Sequence, residues 1–264
     1  MQKETKIIQG NNDPIPKKRS KCFDYAAHLV NILSRVEQTQ WESIDQSSFS
    51  MATAITNERS VFVFGASHAG ILAQEMFYRT GGLAVLNAIL PAEFMLNTRP
   101  VTQTSDMEKL EGYPTVILNN TPIQEGDILL LHSVSGRNTA AIEMADDARK
   151  RGILTIGITN MTYTRGVTSR HKSGKKLCDL CDIVIDNCGD FEDSSMLLEG
   201  MNQKIAPTSS VIGCAIVNML LIRTVEYLLE FGVEPPIFRS ANVDGGFEFN
   251  KLLFEKYKDR IHYM

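Results

Sequence analysis

The sequence has little cysteine and no excess of positive charge. Five cysteines (Cys22, Cys178, Cys181, Cys188 and Cys214) are an odd, low count for 264 residues. That excludes a disulfide framework and fits a reducing compartment, so the cytoplasm is expected. Lys and Arg number 27 against 31 Asp and Glu, a formal net charge of -4. Nothing global therefore attracts nucleic acid or anionic lipid, and an anionic ligand needs a local site. No uninterrupted apolar run reaches the ~18 residues of a membrane span. The Lys-containing start, residues 1–21, has no apolar segment of signal-peptide kind behind it. Neither a membrane nor a nucleic-acid partner is expected. There is no repeat of fixed period and no low-complexity tract. Cys178 and Cys181 form a lone CxxC. One such pair cannot complete a tetrahedral zinc site, although Cys188 lies nearby. Buried packing is the expected role, and no metal or cofactor is expected.

What is present reads as an α/β chain. Residues 1–20 hold Pro14, Pro16, Asn and charge, with little to bury, and are expected to be a disordered leader. Residues 21–264 form one domain. It opens with helical spacing over 21–57: Phe23, Ala26, Val30, Leu33 and Val36, then Trp41, Ile44, Met51 and Ile55. This predicts one long helix or two consecutive ones. Short apolar runs at 61–64, 83–90, 127–132, 153–158 and 182–186 predict five strands. Helices are predicted at 69–80, 107–119, 138–151, 168–178, 206–231 and 246–258, the long apolar one ended by Gly232 and stopped by Pro235-Pro236. Continuous apolar strands alternating with helices mark a parallel sheet covered on both faces. In such sheets ligands bind beyond the strand C-termini.

Two loops there carry chemistry. After the first strand comes Gly65-Ala66-Ser67-His68-Ala69-Gly70. Gly65 permits a sharp turn, Ser67 can cap the next helix, and amides at that helix start can face an anion. His68 can donate to a sugar oxygen or move a proton. This is no dinucleotide fingerprint, which needs Gly where Ser67 stands. The alternative is a plain turn. After the third strand comes Ser133-Val134-Ser135-Gly136-Arg137-Asn138-Thr139. Its hydroxyls and amides can surround a phosphate without a Walker-type lysine, and Arg137 adds charge. Ordinary capping would need only one of these residues.

Other candidates are less local. The basic run Thr168-Ser169-Arg170-His171-Lys172-Ser173-Gly174-Lys175 reads equally as a solvated helix start. Pro207-Thr208-Ser209-Ser210 resembles another N-terminal anion site. Ser240 to Gly246 makes a polar turn that either reaches a neighbouring site or positions the last helix. Glu75 lies on the helix after the first loop, where a side chain can point back toward the ligand. Glu199 is polar in an apolar stretch. Either is a candidate general base if burial raises its pKa.

At Ser133–Thr139 the sequence resembles the sugar isomerase (SIS) domain family, in which a Ser-x-Ser-Gly-x-(Thr or Asn) loop holds the phosphate of a sugar phosphate. Phe64-Gly65-Ala66-Ser67-His68 matches that family's earlier ligand loop. Phe77 to Gly82, Thr168 to His171 and Ser240 to Gly246 extend the likeness from about residue 22 to the end. It looks closest to a small branch related to phosphoheptose isomerase and N-acetylmuramic acid 6-phosphate etherase. The resemblance implies a flavodoxin-like five-stranded parallel sheet, a preceding helical hairpin, and a homodimer with partner residues often in the site. It also implies a sugar-phosphate ligand held by Gly65, Ser67, Ser133, Ser135, Gly136, Arg137, Asn138, Thr139 and Ser169. Glu75 or Glu199 would then be the base, and His68 or His171 the proton donor. Residues 67, 69, 70 and 74 depart from the branch's first-loop pattern, while His68 and Glu75 are kept. The expected function is a sugar-phosphate isomerase or related lyase or etherase. The alternative is a non-catalytic sugar-phosphate sensor, although no helix-turn-helix segment is evident.

Overall fold

A computed structural model of the chain describes residues 20–264. The expected leader, apart from Ser20, lies outside the described residues.

The chain first forms α1, one uninterrupted helix over Cys22–Thr56. Among the described residues the helical hairpin implied by the resemblance is replaced by this single helix, whose 35 residues contain no Gly or Pro at which to turn. Ile32, Val36, Ile44, Met51 and Ile55 are buried along its inner stripe. Five strands follow: β1 (Val61–Gly65), β2 (Leu86–Ile89), β3 (Ile128–His132), β4 (Leu154–Thr159) and β5 (Ile183–Asp186). They lie in the order β2-β1-β3-β4-β5. Every pairing is parallel, with Val61 opposite both Leu86 and Ile128. This is the flavodoxin-like order.

Strand alternation splits the core in two. Val61, Val63, Ile128, Leu130, Ile156 and Ile158 face α1, α2 (Ile71–Met76), α7 (Ser209–Glu230) and α8 (Gly246–Tyr257). Phe62, Phe64, Leu129 and Leu131 face α4 (Tyr113–Asn119) and α5 (Thr139–Lys150). Each buried large side chain is worth about 1.5–3 kcal/mol of transfer free energy. Burial on both faces is why the strands read as continuous apolar runs. α7 is by length and composition apolar enough to cross a membrane; in the fold it packs against α1 and α2.

Three expected helices change. The segment 107–119 is broken at Gly112, whose φ is 78°, into α3 (Gln103–Met107) and α4. Residues 69–80 shorten to a 3-10 turn at Ser67–Gly70 followed by α2. Residues 168–178 form no α-helix. Ser169 Oγ donates to the Lys175 carbonyl at 2.7 Å and accepts from the His171 N–H at 3.0 Å. Local side-chain bonds of this kind compete with helix, and Gly174 turns the chain at φ 72°. A short helix that the pattern did not signal, α6 (Met161–Arg165), is capped instead by Asn160 Oδ1 on the Tyr163 N–H, 2.8 Å. Cys181 packs as expected: its sulfur fills the space a side chain at Gly157 would need, and burial pushes its thiol upward.

Candidate functional site

β1 sits between β2 and β3, so the connections leaving β1 and β3 diverge at their C-terminal ends. That is the switch point at which open α/β sheets bind ligands. A cleft of about 230 Å³ lies there, walled by the two loops singled out in the sequence.

The β1 loop turns because residue 65 has no side chain. A Cβ on Gly65 would stand 2.4 Å from the Ala69 carbonyl oxygen, and one on Gly70 would stand 2.8 Å from the Gly65 oxygen. The backbone closes on itself at these two glycines. Ser67 does not cap the following helix. It adopts φ 53°, a left-handed conformation that costs a serine roughly 1 kcal/mol, and its Oγ donates to Glu108 Oε1 at 2.8 Å. His68 lines the cleft from an exposed position.

The β3 loop is held from behind. Thr159 Oγ1 donates to the Ser133 carbonyl at 2.7 Å and to Val134 at 3.1 Å. The Asn160 N–H donates to the Val134 carbonyl (2.9 Å), Thr164 Oγ1 to Ser135 (3.0 Å), and the Leu177 N–H to Gly136 (2.9 Å). Gly136, at φ 62°, backs directly onto Thr159 and Thr164. The carbonyls of residues 133–136 are thus all spent on the β4 side of the loop. The N–H groups of residues 135–139 meet no acceptor among the described residues. Ser133, Ser135 and Asn138 line the cleft. They stand at the N-terminus of α5, whose first turn contains no acid.

Two arginines crowd the same end. Arg170 Nη1 donates to Asn138 Oδ1 at 3.1 Å, and Arg137 Nη2 to Thr168 Oγ1 at 3.4 Å. Cations belong electrostatically at helix C-termini; placed at an N-terminus they add to the positive dipole. Both guanidinium groups therefore add positive charge at this end, set against the Glu108 carboxylate bonded to Asn138. Arg137 and Thr139 border the loop without lining the cleft, and Gly65 and Gly136 act through backbone shape.

Three residues that the sequence reading passed over complete the site. Glu108 reaches it because the helix breaks between α3 and α4. Its Oε1 accepts from Ser67 and its Oε2 from Asn138 Nδ2 at 2.5 Å, so one carboxylate ties the two loops together. Its carbonyl accepts the Ala140 N–H at 3.0 Å. Asp193, at φ 52°, lines the cleft and caps α7, accepting from the Thr208 and Ser209 N–H groups and from Ser209 Oγ at 2.6 Å. That carboxylate already occupies the helix start at residues 207–210 that resembled an anion site.

His132, the last residue of β3, is 1% exposed and lines the cleft. Its Nδ1 is 3.0 Å from the Ala69 carbonyl oxygen, while Nε2 is buried without a partner. An unmade buried hydrogen bond costs about 1–3 kcal/mol. Burial, the largest influence, pushes the imidazole below its ordinary value of 6.5, against the pull of the Ala69 bond and the Asp193 charge; burial does the same to His262. Unfolded histidine takes up a proton more readily than either of these, so folding stability is full above about pH 6.5 and declines as pH falls below it. Urea midpoints measured between about pH 7 and pH 5 are expected to drop, and His132→Asn is expected to flatten that slope. An unchanged slope would show that His132 is not held neutral.

The remaining candidates do not line this chain's cleft. Glu75 pairs with Arg79 and accepts from Asn218 Nδ2 at 3.1 Å, between α2 and α7. Glu199 is exposed, beside Gly200 in the excursion closed by the Met196–Ile205 bridge. His171 bonds Ser173 Oγ through Nδ1 (2.8 Å) and faces Glu143 across 3.4 Å. Ser169 staples its own loop.

The family model of the SIS domain matches residues 24–160. The UPF0309 protein of Oceanobacillus iheyensis is 46% identical over 241 residues, 91% of this chain and 98% of the relative. That of Shouchella clausii is 43% identical over 240 residues, 91% of this chain and 98% of the relative. Among solved structures, a phosphoheptose isomerase from Francisella tularensis aligns at a TM-score of 0.52 with 16% identity, covering 78% of this chain and 97% of that one; at that identity the likeness is one of fold. The chain belongs to the SIS-domain family and, within it, to the group of UPF0309 proteins.

Proposed function

We propose that the cleft holds the phosphate of a sugar phosphate and that the chain isomerises the sugar between aldose and ketose, or carries out a related elimination. The observation that carries this reading is the set of unspent donors at the start of α5. The free N–H groups of residues 135–139 and the cleft-lining residues Ser133, Ser135 and Asn138 lie together at the N-terminal end of α5 where Arg170 and the helix dipole add positive charge. A dianion is the ligand that such a set of donors suits.

The sugar then extends toward His68 and Glu108. Phosphate oxygens compete with Glu108 for Asn138 and Ser67, which frees the carboxylate. The nearby dianion also raises its proton affinity. Glu108 removes the proton α to the carbonyl, an enediol forms, and the same group returns the proton to the neighbouring carbon. His68 serves the oxygen. Glu108 thus takes the role that the sequence reading gave to Glu75 or Glu199. The second reading, a sensor that binds without turnover, draws support from those two glutamates standing outside the cleft.

The reading brings a cytoplasmic homodimer with it. Exposed Val30, Trp41 and Ile222 border a groove between α1 and α7 that a second copy would cover, and sedimentation reads the mass directly.

A panel of hexose, heptose and N-acetylamino sugar phosphates tests the function. At least one should raise the melting temperature and take up solvent deuterium next to its carbonyl. Stabilisation without exchange would favour the sensor, and neither effect would sink the proposal. Ser135→Ala should weaken the binding of that sugar phosphate about tenfold, the worth of one hydrogen bond. Unchanged affinity would remove Ser135 from the site.

A further inference from the structure

His132 carries an atom that the chain leaves unused. A carbonyl oxygen can only accept, so the contact with the Ala69 oxygen places the ring proton on Nδ1. In the neutral ring Nε2 is then a bare lone pair. That nitrogen is buried and has no partner among the described residues, although the ring lines the cleft. Buried polar groups in native proteins are satisfied as a rule, and an exception needs a reason. Packing supplies none: the residues before it on β3 are Leu129, Leu130 and Leu131, and an apolar side chain would suit the strand end as well. Nor is Nε2 a charged group held for a phosphate, because burial resists the second proton.

We propose that His132 is a positioning residue whose Nε2 accepts a hydrogen bond from a hydroxyl of the bound sugar, fixing the sugar relative to the phosphate loop. This rests on the sugar-phosphate reading of the cleft. Asp193 and Glu108 also line the cleft and can only accept when ionised, so a ligand hydroxyl meets acceptors there. A ligand offering an ether or carbonyl oxygen at that point sets lone pair against lone pair. The site therefore selects a sugar with a free hydroxyl there over one in which it is substituted.

His132→Asn separates positioning from support: the asparagine amide can still donate to the Ala69 oxygen, but no atom replaces Nε2. Titration calorimetry should give inorganic phosphate the same affinity for variant and wild type. Whichever of glucose 6-phosphate, mannose 6-phosphate and fructose 6-phosphate binds wild type most tightly should bind the variant about tenfold more weakly. Imidazole ¹⁵N spectra of the wild type need no variant. They should show the neutral Nδ1–H tautomer, with an Nε2 signal that moves on adding that sugar phosphate and stays put with inorganic phosphate. An Nε2–H or doubly protonated ring, an equal loss for phosphate and sugar phosphate, or no loss at all overturns the proposal. If wild type binds neither phosphate nor any sugar phosphate, the reading of the cleft itself fails; a wild type that binds them while the variant does not differ sinks His132 alone.

Discussion

Glu108→Gln should cut solvent-deuterium exchange into the bound sugar phosphate by about a thousandfold, within the range that removal of a general base commonly produces. It should leave phosphate binding as tight as before or tighter. Glutamine keeps the length and shape of the side chain, and its single carbonyl oxygen can still accept from Ser67 or Asn138. What disappears is a basic lone pair, a negative charge beside the loop and one of the two loop bonds, which the freed Ser67 or Asn138 donor can make to ligand or water instead. The first loss slows proton abstraction, and the second removes repulsion from the ligand. A loop staple would behave differently, because loosening the link between Ser67 and Asn138 would weaken binding and exchange together. The measurement is single-turnover exchange alongside calorimetry. Full exchange in the variant would place the base elsewhere.

Gly65→Ala should destabilise the protein by about 3 kcal/mol, at the high end for overpacking, and abolish sugar-phosphate binding in whatever still folds. The added Cβ would stand 2.4 Å from the Ala69 oxygen and 2.5 Å from its carbonyl carbon, both backbone atoms. Relief requires the 3-10 turn at Ser67–Gly70 to move. That turn carries Ser67, His68 and the carbonyl that orients His132. Gly213→Ala is the control: there the new methyl group meets only the flexible end of Leu72, 2.9 Å away, so a smaller loss is expected. Equal urea midpoints for Gly65→Ala and wild type would refute the account of this turn.

The strands are legible because burial on both faces demands unbroken apolar runs, and the place of the Ser133–Thr139 loop beside the cleft because a polar run there follows a buried strand of a parallel sheet. No α-helix forms at 168–178 because Ser169 and Ser173 hydroxyls bond backbone groups locally and Gly174 turns the chain, which a pattern of charge does not reveal. Glu108 was hidden in a stretch that reads as helix; only the break at Gly112, with its amide held by Glu143 Oε2 at 2.7 Å, brings that carboxylate to the cleft. His132 looked like the polar end of an apolar strand. Its meaning depends on a carbonyl 63 residues away.

By itself the sequence determined the sheet, its two helical layers and the polar loop that follows β3. Those follow from side-chain periodicity and local backbone freedom, which act between near neighbours. Only the tertiary structure decided which carboxylate and which imidazole share the cleft, and that Glu75, Glu199, His171 and Ser169 stand outside it. Proton transfer and hydrogen bonding require approach within about 3 Å, and residues far apart in the chain reach that distance only through the packing of the whole fold.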